Sequence, residues 1–193
     1  MDRLSDMLCH VAEYARHPRS IGAIIPSSRA LARTMTESIP RLGERDVIVE
    51  LGPGTGAITR AIVNAYPRNR VIAVEKNARL AAMLRERFPR VDVAETCVST
   101  IARDLQIPKG HRIGAVLSSL PMLSFDDAMR RRVLDAIRGV LDDRAVYVQF
   151  TYSRAAWEGF TPEGLRLVGA RRVMRNVPPA TILSFVRGTS LAS

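Results

Sequence analysis

The sequence predicts an α/β fold: a mostly parallel seven-stranded sheet with helices on both faces and a C-terminal antiparallel hairpin. Three observations carry that expectation. Short, β-branched apolar runs alternate with stretches of helical periodicity between Asp46 and Phe150, the pattern of parallel strands buried on both sides. A glycine-rich turn, Gly52-Pro-Gly-Thr-Gly56, separates the first apolar run from the helix that follows it. The last two runs, near the C-terminus, are joined only by a proline turn. That is too short for a helical crossover, so they are expected to pair antiparallel.

The elements follow in order. Residues 2–16 read as an amphipathic helix, because Leu4, Met7, Leu8, Val11, Ala12 and Ala15 recur at helical spacing and Pro18 stops the pattern. A turn-rich stretch leads to a second helix from about Ser28 to Ile39, with Ser27 or Ser28 as N-cap. Residues 1–40 thus form a helical segment ahead of a sheet-building unit, 41–193. Strands are expected at 46–50, 70–75, 91–94, 113–118 and 145–150. The helices between them run to about Tyr66, from Asn77 through Phe88, and from Asp126 to Val140, with Asn77 as the cap of the second. Leu165–Asn176 and Thr181–Arg187 form the hairpin.

At 193 residues the chain fits one domain with a substantial core. It has no apolar run long enough to cross a bilayer and no signal-peptide pattern, so a cytoplasmic setting is expected. Cys9 and Cys97 lack metal-ligand or redox-pair spacing and read as free thiols. His10, His17 and His111 have no metal spacing either. The net charge of +10 comes almost wholly from arginine, Lys76 and Lys109 being the only lysines. Guanidinium forks match phosphate oxygens, which nucleic acids and anionic lipids both offer. A general arginine bias on a solvated surface explains the charge equally well.

The segment Glu50-Leu-Gly-Pro-Gly-Thr-Gly56 carries the most chemistry. Glycines at a strand's carboxyl end let the chain turn sharply and let a ligand press against bare backbone. The segment lacks the Gly-Lys-Ser/Thr of a triphosphate loop, and its G-x-G-x-G spacing is not that of dinucleotide binders. Glu50 would repel a pyrophosphate but suits a cationic head. S-adenosylmethionine carries an ammonium and a sulfonium, both favoured by a nearby carboxylate. Glu75 ends the second strand about twenty residues on, where an acidic residue accepts hydrogen bonds from ribose hydroxyls. The competing reading of Glu75 is an exposed strand-end carboxylate.

Val49-Glu-Leu-Gly-Pro-Gly-Thr-Gly-Ala57 with Ala73-Val-Glu-Lys76 resembles the class I S-adenosylmethionine-dependent methyltransferases, which have a Rossmann-like fold. The resemblance implies S-adenosylmethionine as cofactor, S-adenosylhomocysteine as product and no metal. It implies cofactor contacts from Glu50, Gly52, Gly54, Gly56, Glu75 and Lys76. Ile25 and Ser27 would fold over the methionine end, and Ser118 and Ser119 would border the transferring methyl. Two subfamilies compete, the rRNA adenine dimethyltransferases and the small bacterial phospholipid N-methyltransferases. The chain is more similar to the second over nearly its full length, through His17-Pro-Arg-Ser-Ile-Gly-Ala-Ile-Ile-Pro-Ser-Ser28, Ser118-Ser-Leu-Pro121, Val148-Gln-Phe-Thr-Tyr152 and Asn176-Val-Pro-Pro179. That subfamily methylates phosphatidylethanolamine stepwise towards phosphatidylcholine. Many relatives carry Gly-Asp-Ala after strand three. Here the stretch is Glu95-Thr96-Cys97, leaving Thr96, Glu95 or backbone to meet the adenine.

Adenine methyltransferases place an aromatic after strand four to stack on a flipped base. Here Ser119-Leu-Pro-Met122 has none, and aromatic residues are sparse overall, so no nucleic-acid partner is expected. The N-terminal helix suits a lid over the site or contact with an anionic membrane, which implies a peripheral location on the inner face of the cytoplasmic membrane. Tyr152, Tyr14 and His17 are candidates to orient or deprotonate the amine, each tyrosine equally readable as a packed side chain. Asn176, Arg172 and Arg175 are candidate substrate contacts, with Arg171 beside them. Asn176 is also readable as a turn residue. Arg130-Arg-Arg132 reads as a solvated helix face. The alternatives are an rRNA adenine or small-amine methyltransferase on the same fold, or a non-catalytic module binding S-adenosylmethionine or lipid.

Overall fold

The computed structural model describes residues 29–153, 162–176 and 178–188. The expected N-terminal helix, and with it Tyr14, His17, Ile25 and Ser27, lies outside the described residues.

The described chain opens with α1 (Arg29–Glu37), followed by β1 (Asp46–Leu51), α2 (Ala57–Ala65), β2 (Arg70–Val74), α3 (Ala78–Arg87) and β3 (Val91–Ala94). It continues through α4 (Ile101–Asp104), β4 (Arg112–Ser118), α5 (Asp127–Val140), β5 (Val146–Thr151), β6 (Leu165–Val173) and β7 (Ala180–Arg187). One seven-stranded sheet runs in the order β3-β2-β1-β4-β5-β7-β6. β1 to β5 are mutually parallel, β7 runs antiparallel to β5, and β6 closes the edge antiparallel to β7.

Alternation along the strands builds two apolar layers. Val47, Val49 and Leu51 of β1 face α5, where Val133, Leu134 and Ile137 meet Tyr147 and Phe185. Ile48 faces the other way, against Leu31 and Met35 of α1, Ile58 and Ile62 of α2, and Leu84 of α3. α1 is therefore built into the same core as the sheet, with Leu31 and Met35 fully buried. The helix starts are set locally: Asn77 accepts the Leu80 amide at 3.1 Å and Asp126 the Met129 amide at 2.7 Å, satisfying donors the helix leaves open.

Three details differ from expectation. β6 stops at Val173, where Met174 and Arg175 begin the turn. Two short 3-10 turns, Val98–Thr100 and Met122–Ser124, and the one-turn α4 were not anticipated, being too short to show a helical period. Arg130 is not a solvated residue like Arg131 and Arg132. Its guanidinium turns inward and donates to the carbonyls of Met122 (3.1 Å) and Phe125 (2.7 Å), fixing the turn after β4.

At the amino edge, Asp46 ties β1 to its surroundings. It accepts the Gly43 amide and the Arg112 Nε, both at 2.7 Å. Burial would raise its pKa, but Arg112 and the Gly43 amide outweigh that and hold it below the usual value. Arg112 is nearly half exposed, so solvent screens the pair. Asp46→Ala is expected to cost about 1–2 kcal/mol in urea unfolding, mostly through the orphaned Gly43 amide.

Candidate active site

Register brings the carboxyl ends of the central strands level. Leu51 lies opposite both Val74 of β2 and Ser118 of β4. The Gly52 amide donates to the Val74 carbonyl at 3.0 Å, and the Ser119 amide to the Leu51 carbonyl at 2.9 Å. α2 and α3 pack on one face and α5 on the other, so strand order reverses between β1 and β4. A parallel sheet opens a ligand crevice at such a switch point.

The glycine loop fills one wall of that crevice. Gly56 sits at φ +81° as the cap of α2, and a Cβ there would lie 2.5 Å from the Phe88 ring. Only glycine allows α2 to start so close to the end of α3. Gly54, at φ +56°, has nothing within 4 Å of where a Cβ would stand. The side on which a Cβ would stand is open, as a cradle for a ligand requires.

Glu50 lies at the base of the crevice, fully buried, and neither carboxylate oxygen has a hydrogen-bond partner among the described residues. Burial pushes its pKa up to about 7, and the nearby Glu75 adds to the rise. The Thr59 hydroxyl and amide in the first turn of α2 draw it partly back, although neither meets hydrogen-bond geometry. An unpaired buried carboxylate is strongly unfavourable unless it is protonated or meets a cation. The ammonium of S-adenosylmethionine is such a cation, and the residues present fit it.

Glu75 is buried rather than an exposed strand end. Its Oε2 accepts the Gly54 amide at 3.3 Å and its Oε1 the Asn77 amide at 2.9 Å. It thus links the tip of β2 to the glycine loop while keeping lone pairs free for ribose hydroxyls. Lys76 beside it is exposed.

The candidate adenine contacts each have a partner within the fold. The Thr96 hydroxyl donates to Asp104 Oδ2 at 2.6 Å, and Glu95 pairs with Arg85 at 3.3 Å. Arg103, Thr100 and Thr96 together hold the Asp104 carboxyl well below the usual range. Both candidate side chains therefore already have a partner within the fold, although the Thr96 oxygen and the half-exposed Glu95 carboxylate keep lone pairs free to accept.

On the β4 side, Ser118 is fully buried and its Oγ accepts the Leu120 amide at 3.3 Å, while Ser119 is half-buried. Gln149 on β5 is fully buried, a residue to which the motif around it assigns no role. It donates to the carbonyls of Leu120 (3.1 Å) and Phe150 (2.8 Å) and accepts the Tyr147 hydroxyl at 2.8 Å. Its signal in the sequence was a lone amide inside an apolar strand. Gln149 fixes the loop after β4 against the end of β5, the wall opposite the glycine loop.

Tyr152 is half-exposed just past β5, edge-on to Phe150. With Ala170, Arg172, Pro179 and Thr181 it lines a cavity of about 250 Å3. The structure thus brings together one catalytic and one substrate candidate. Asn176 is buried in the β6–β7 turn, donating to the Pro178 carbonyl at 2.8 Å, and Arg175 is exposed beside it. Arg171 pairs with Glu37 of α1 at 3.3 Å.

Comparison with known proteins agrees with this geometry. Residues 48–144 match the model of a family described as a methyltransferase domain. An ornithine lipid N-methyltransferase from Singulisphaera acidiphila is 32% identical over 92% of this chain and 94% of its own length. A ribosomal RNA small subunit methyltransferase A from Acidobacterium capsulatum is 38% identical over 66% of this chain, which spans about half (48%) of that protein. Among solved structures, a glycopeptide N-methyltransferase complexed with S-adenosyl-L-methionine superposes with a TM-score of 0.67 at 13% identity, covering 88% of this chain and 99% of the other. TrmN from Thermus thermophilus superposes at 0.68 with 15% identity, covering 86% of this chain and 51% of its own. The sheet order, the buried Glu50 and Glu75 around a glycine loop, and the family match lead to one conclusion: the chain belongs to the methyltransferase-domain family and is an S-adenosylmethionine-dependent methyltransferase of the class I, Rossmann-like fold.

Proposed function

We propose that the chain N-methylates the primary amine of a membrane-lipid headgroup, working peripherally on an anionic membrane surface. The observation that carries this reading is the ornithine lipid N-methyltransferase relative, which aligns over nearly the full length of both chains, whereas the rRNA methyltransferase relatives align over part of their length. The structure adds support. Met122, which stands where a base-stacking aromatic would be, is buried in the core, so the β4 turn offers no platform for a flipped base. No helix among the described residues is long and apolar enough to cross a membrane. Phosphatidylethanolamine, with its mono- and dimethyl forms, is the acceptor that the subfamily resemblance favours, and an ornithine lipid the one the relative favours.

S-adenosylmethionine supplies the methyl group on a sulfonium that leaves readily. Glu50 would hold its ammonium, Glu75 its ribose, and the bare Gly54 peptide would let it approach closely. The residues at the carboxyl ends of β4 and β5 then set the angle at which the amine arrives, and such positioning is the protein's main contribution to an in-line transfer. The amine reacts as its free base. Its lone pair forms the new N–C bond, the C–S pair returns to sulfur, and its proton passes to solvent. The Tyr152 ring and phenol oxygen would steady the methylated ammonium.

The test is transfer of labelled methyl to vesicles containing phosphatidylethanolamine or an ornithine lipid, with total RNA as a parallel acceptor. Mono-, di- and trimethyl lipid is the expected product. Label in RNA alone would overturn the proposal.

A further inference from the structure

Resting on that reading, we infer that the cavity between the end of β5 and the terminal hairpin seats the anionic group that accompanies the amine in the lipid headgroup, with Arg172 as its principal ligand. Arg172 of β6 and Thr181 of β7 are cross-strand partners, and Thr181 is also the partner of Thr151 at the end of β5. Three elements therefore converge where Tyr152 leaves the sheet. Tyr152, Ala170, Arg172, Pro179 and Thr181 line the resulting cavity.

Arg172 makes no hydrogen bond or ion pair among the described residues. The contrast with its neighbour is informative. Arg171, on the opposite face of β6, is tied to Glu37, while Arg172 lines a cavity whose described lining residues include no carboxylate. The guanidinium fork and the hydroxyls of Tyr152 and Thr181 make a donor-rich, positively charged lining. Ala170 and Pro179 are small and leave the space open. At about 250 Å3 the cavity is below the ~300–1,000 Å3 of sites that enclose a whole small molecule. It suits one charged group with the methylenes beside it.

The position fits the chemistry. The cavity lies at the carboxyl edge of the sheet, the edge that also carries Glu50, the glycine loop and Ser119. The two candidate acceptors share one feature, an anion separated from a primary amine by a short methylene spacer. In phosphatidylethanolamine the anion is a phosphodiester and in an ornithine lipid a carboxylate. Arginine pairs with either through two parallel hydrogen bonds. An anion held at Arg172 would leave the amine free to extend past Tyr152 towards the crevice.

The experiment compares wild type with Arg172→Ala and Arg172→Lys in non-ionic detergent micelles, where bulk attraction to an anionic surface is absent. Each protein is assayed with phosphatidylethanolamine, an ornithine lipid and a long-chain alkylamine that lacks an anion. Affinity for S-adenosylmethionine, measured by calorimetry, reports the integrity of the fold. R172A is expected to raise KM at least tenfold for the lipid whose anion the cavity holds, with kcat, cofactor affinity and any alkylamine methylation near wild type. R172K should recover part of the loss, since it restores charge without the fork. Unchanged KM for a lipid the wild type methylates would overturn the role of the cavity alone. Transfer to neither lipid by the wild type would overturn the lipid reading and this inference with it.

Discussion

Glu50→Gln is expected to lower affinity for S-adenosylmethionine by about 10²–10³-fold while making the ligand-free protein more stable above neutral pH. Glu50 is fully buried with both oxygens unpaired, and its pKa stands at about 7 against an ordinary 4.5. A carboxyl whose pKa is raised by folding contributes stability that is fully present below pH 4.5 and is lost as pH rises through 7. At pH 8 the ionised Glu50 therefore costs the ligand-free fold about 3 kcal/mol, at ~1.4 kcal/mol per pKa unit. Glutamine keeps the shape and removes the charge, though it leaves an amide to be satisfied. A net gain of about 1–2 kcal/mol at pH 8, and little at pH 5, is the expected balance. Binding moves the other way. Removing one member of a buried charge pair costs about 3–5 kcal/mol, and the lower part of that range is the affinity loss given above. Calorimetric titration and thermal melts at both pH values check the two halves together. Affinity within fivefold of wild type, with melting curves that shift alike at pH 5 and pH 8, would remove Glu50 from the site. Stability given up for a ligand is also what the position of Glu50 suggests, since nothing in the ligand-free fold uses its carboxylate.

Glu50 and Glu75 were visible in the sequence because each ends a short β-branched run, Glu50 directly before the glycine pattern and Glu75 about twenty residues after it. The strands were legible for a related reason. Buried parallel strands are continuous apolar runs bounded by glycine, asparagine or proline, and these runs end close to where β1 to β5 end. The order of the last two strands was not legible in the same way. β6 and β7 pair as expected, but it is β7 that lies beside β5, because Tyr147 and Phe185 stack across the two strands at 5.7 Å. That contact is between residues far apart in the chain and leaves no local pattern.

The polar contacts that the sequence did not show share that cause. Thr96 reads as an adenine contact from its place after β3, and its hydrogen bond to Asp104, in an unanticipated helical turn, was not visible in the sequence. Arg130 read as one of three solvated arginines. The carbonyls that capture it lie in and just after a 3-10 turn too short to be seen in the sequence. Gln149 sits in a run that reads as plain strand, and its value lies in reaching the Leu120 carbonyl on the neighbouring loop. In each case the role depends on a polar partner brought close by tertiary folding. Hydrophobic periodicity carries no information about such partners.

Cofactor affinity should depend steeply on pH, and the slope should come from Glu50. With a pKa of about 7 in the ligand-free protein, Glu50 is mostly protonated at pH 6. An ammonium seated against it requires the ionised form, so binding at pH 6 must expel close to one proton, and binding at pH 8 almost none. Apparent affinity therefore rises nearly tenfold per pH unit well below 7 and more slowly near it, a gain of roughly 15-fold between pH 5.5 and 7, and then levels. Above about 8 it falls again as the α-ammonium of the ligand, with an ordinary pKa near 7.7–8.0, loses its own proton. The plateau is narrow because it lies between two groups that must carry opposite charges together. Titration calorimetry in buffers of different ionisation enthalpy measures the protons released directly. Glu50→Gln should flatten the acid limb and abolish the buffer dependence at pH 6 while keeping the decline above 8. An affinity that is level from pH 5.5 to 7 in wild type, with heat independent of buffer, would mean that Glu50 is already ionised in the ligand-free protein. A cation would then have to be supplied from within the fold, and none of the described residues places one within hydrogen-bond reach of its oxygens.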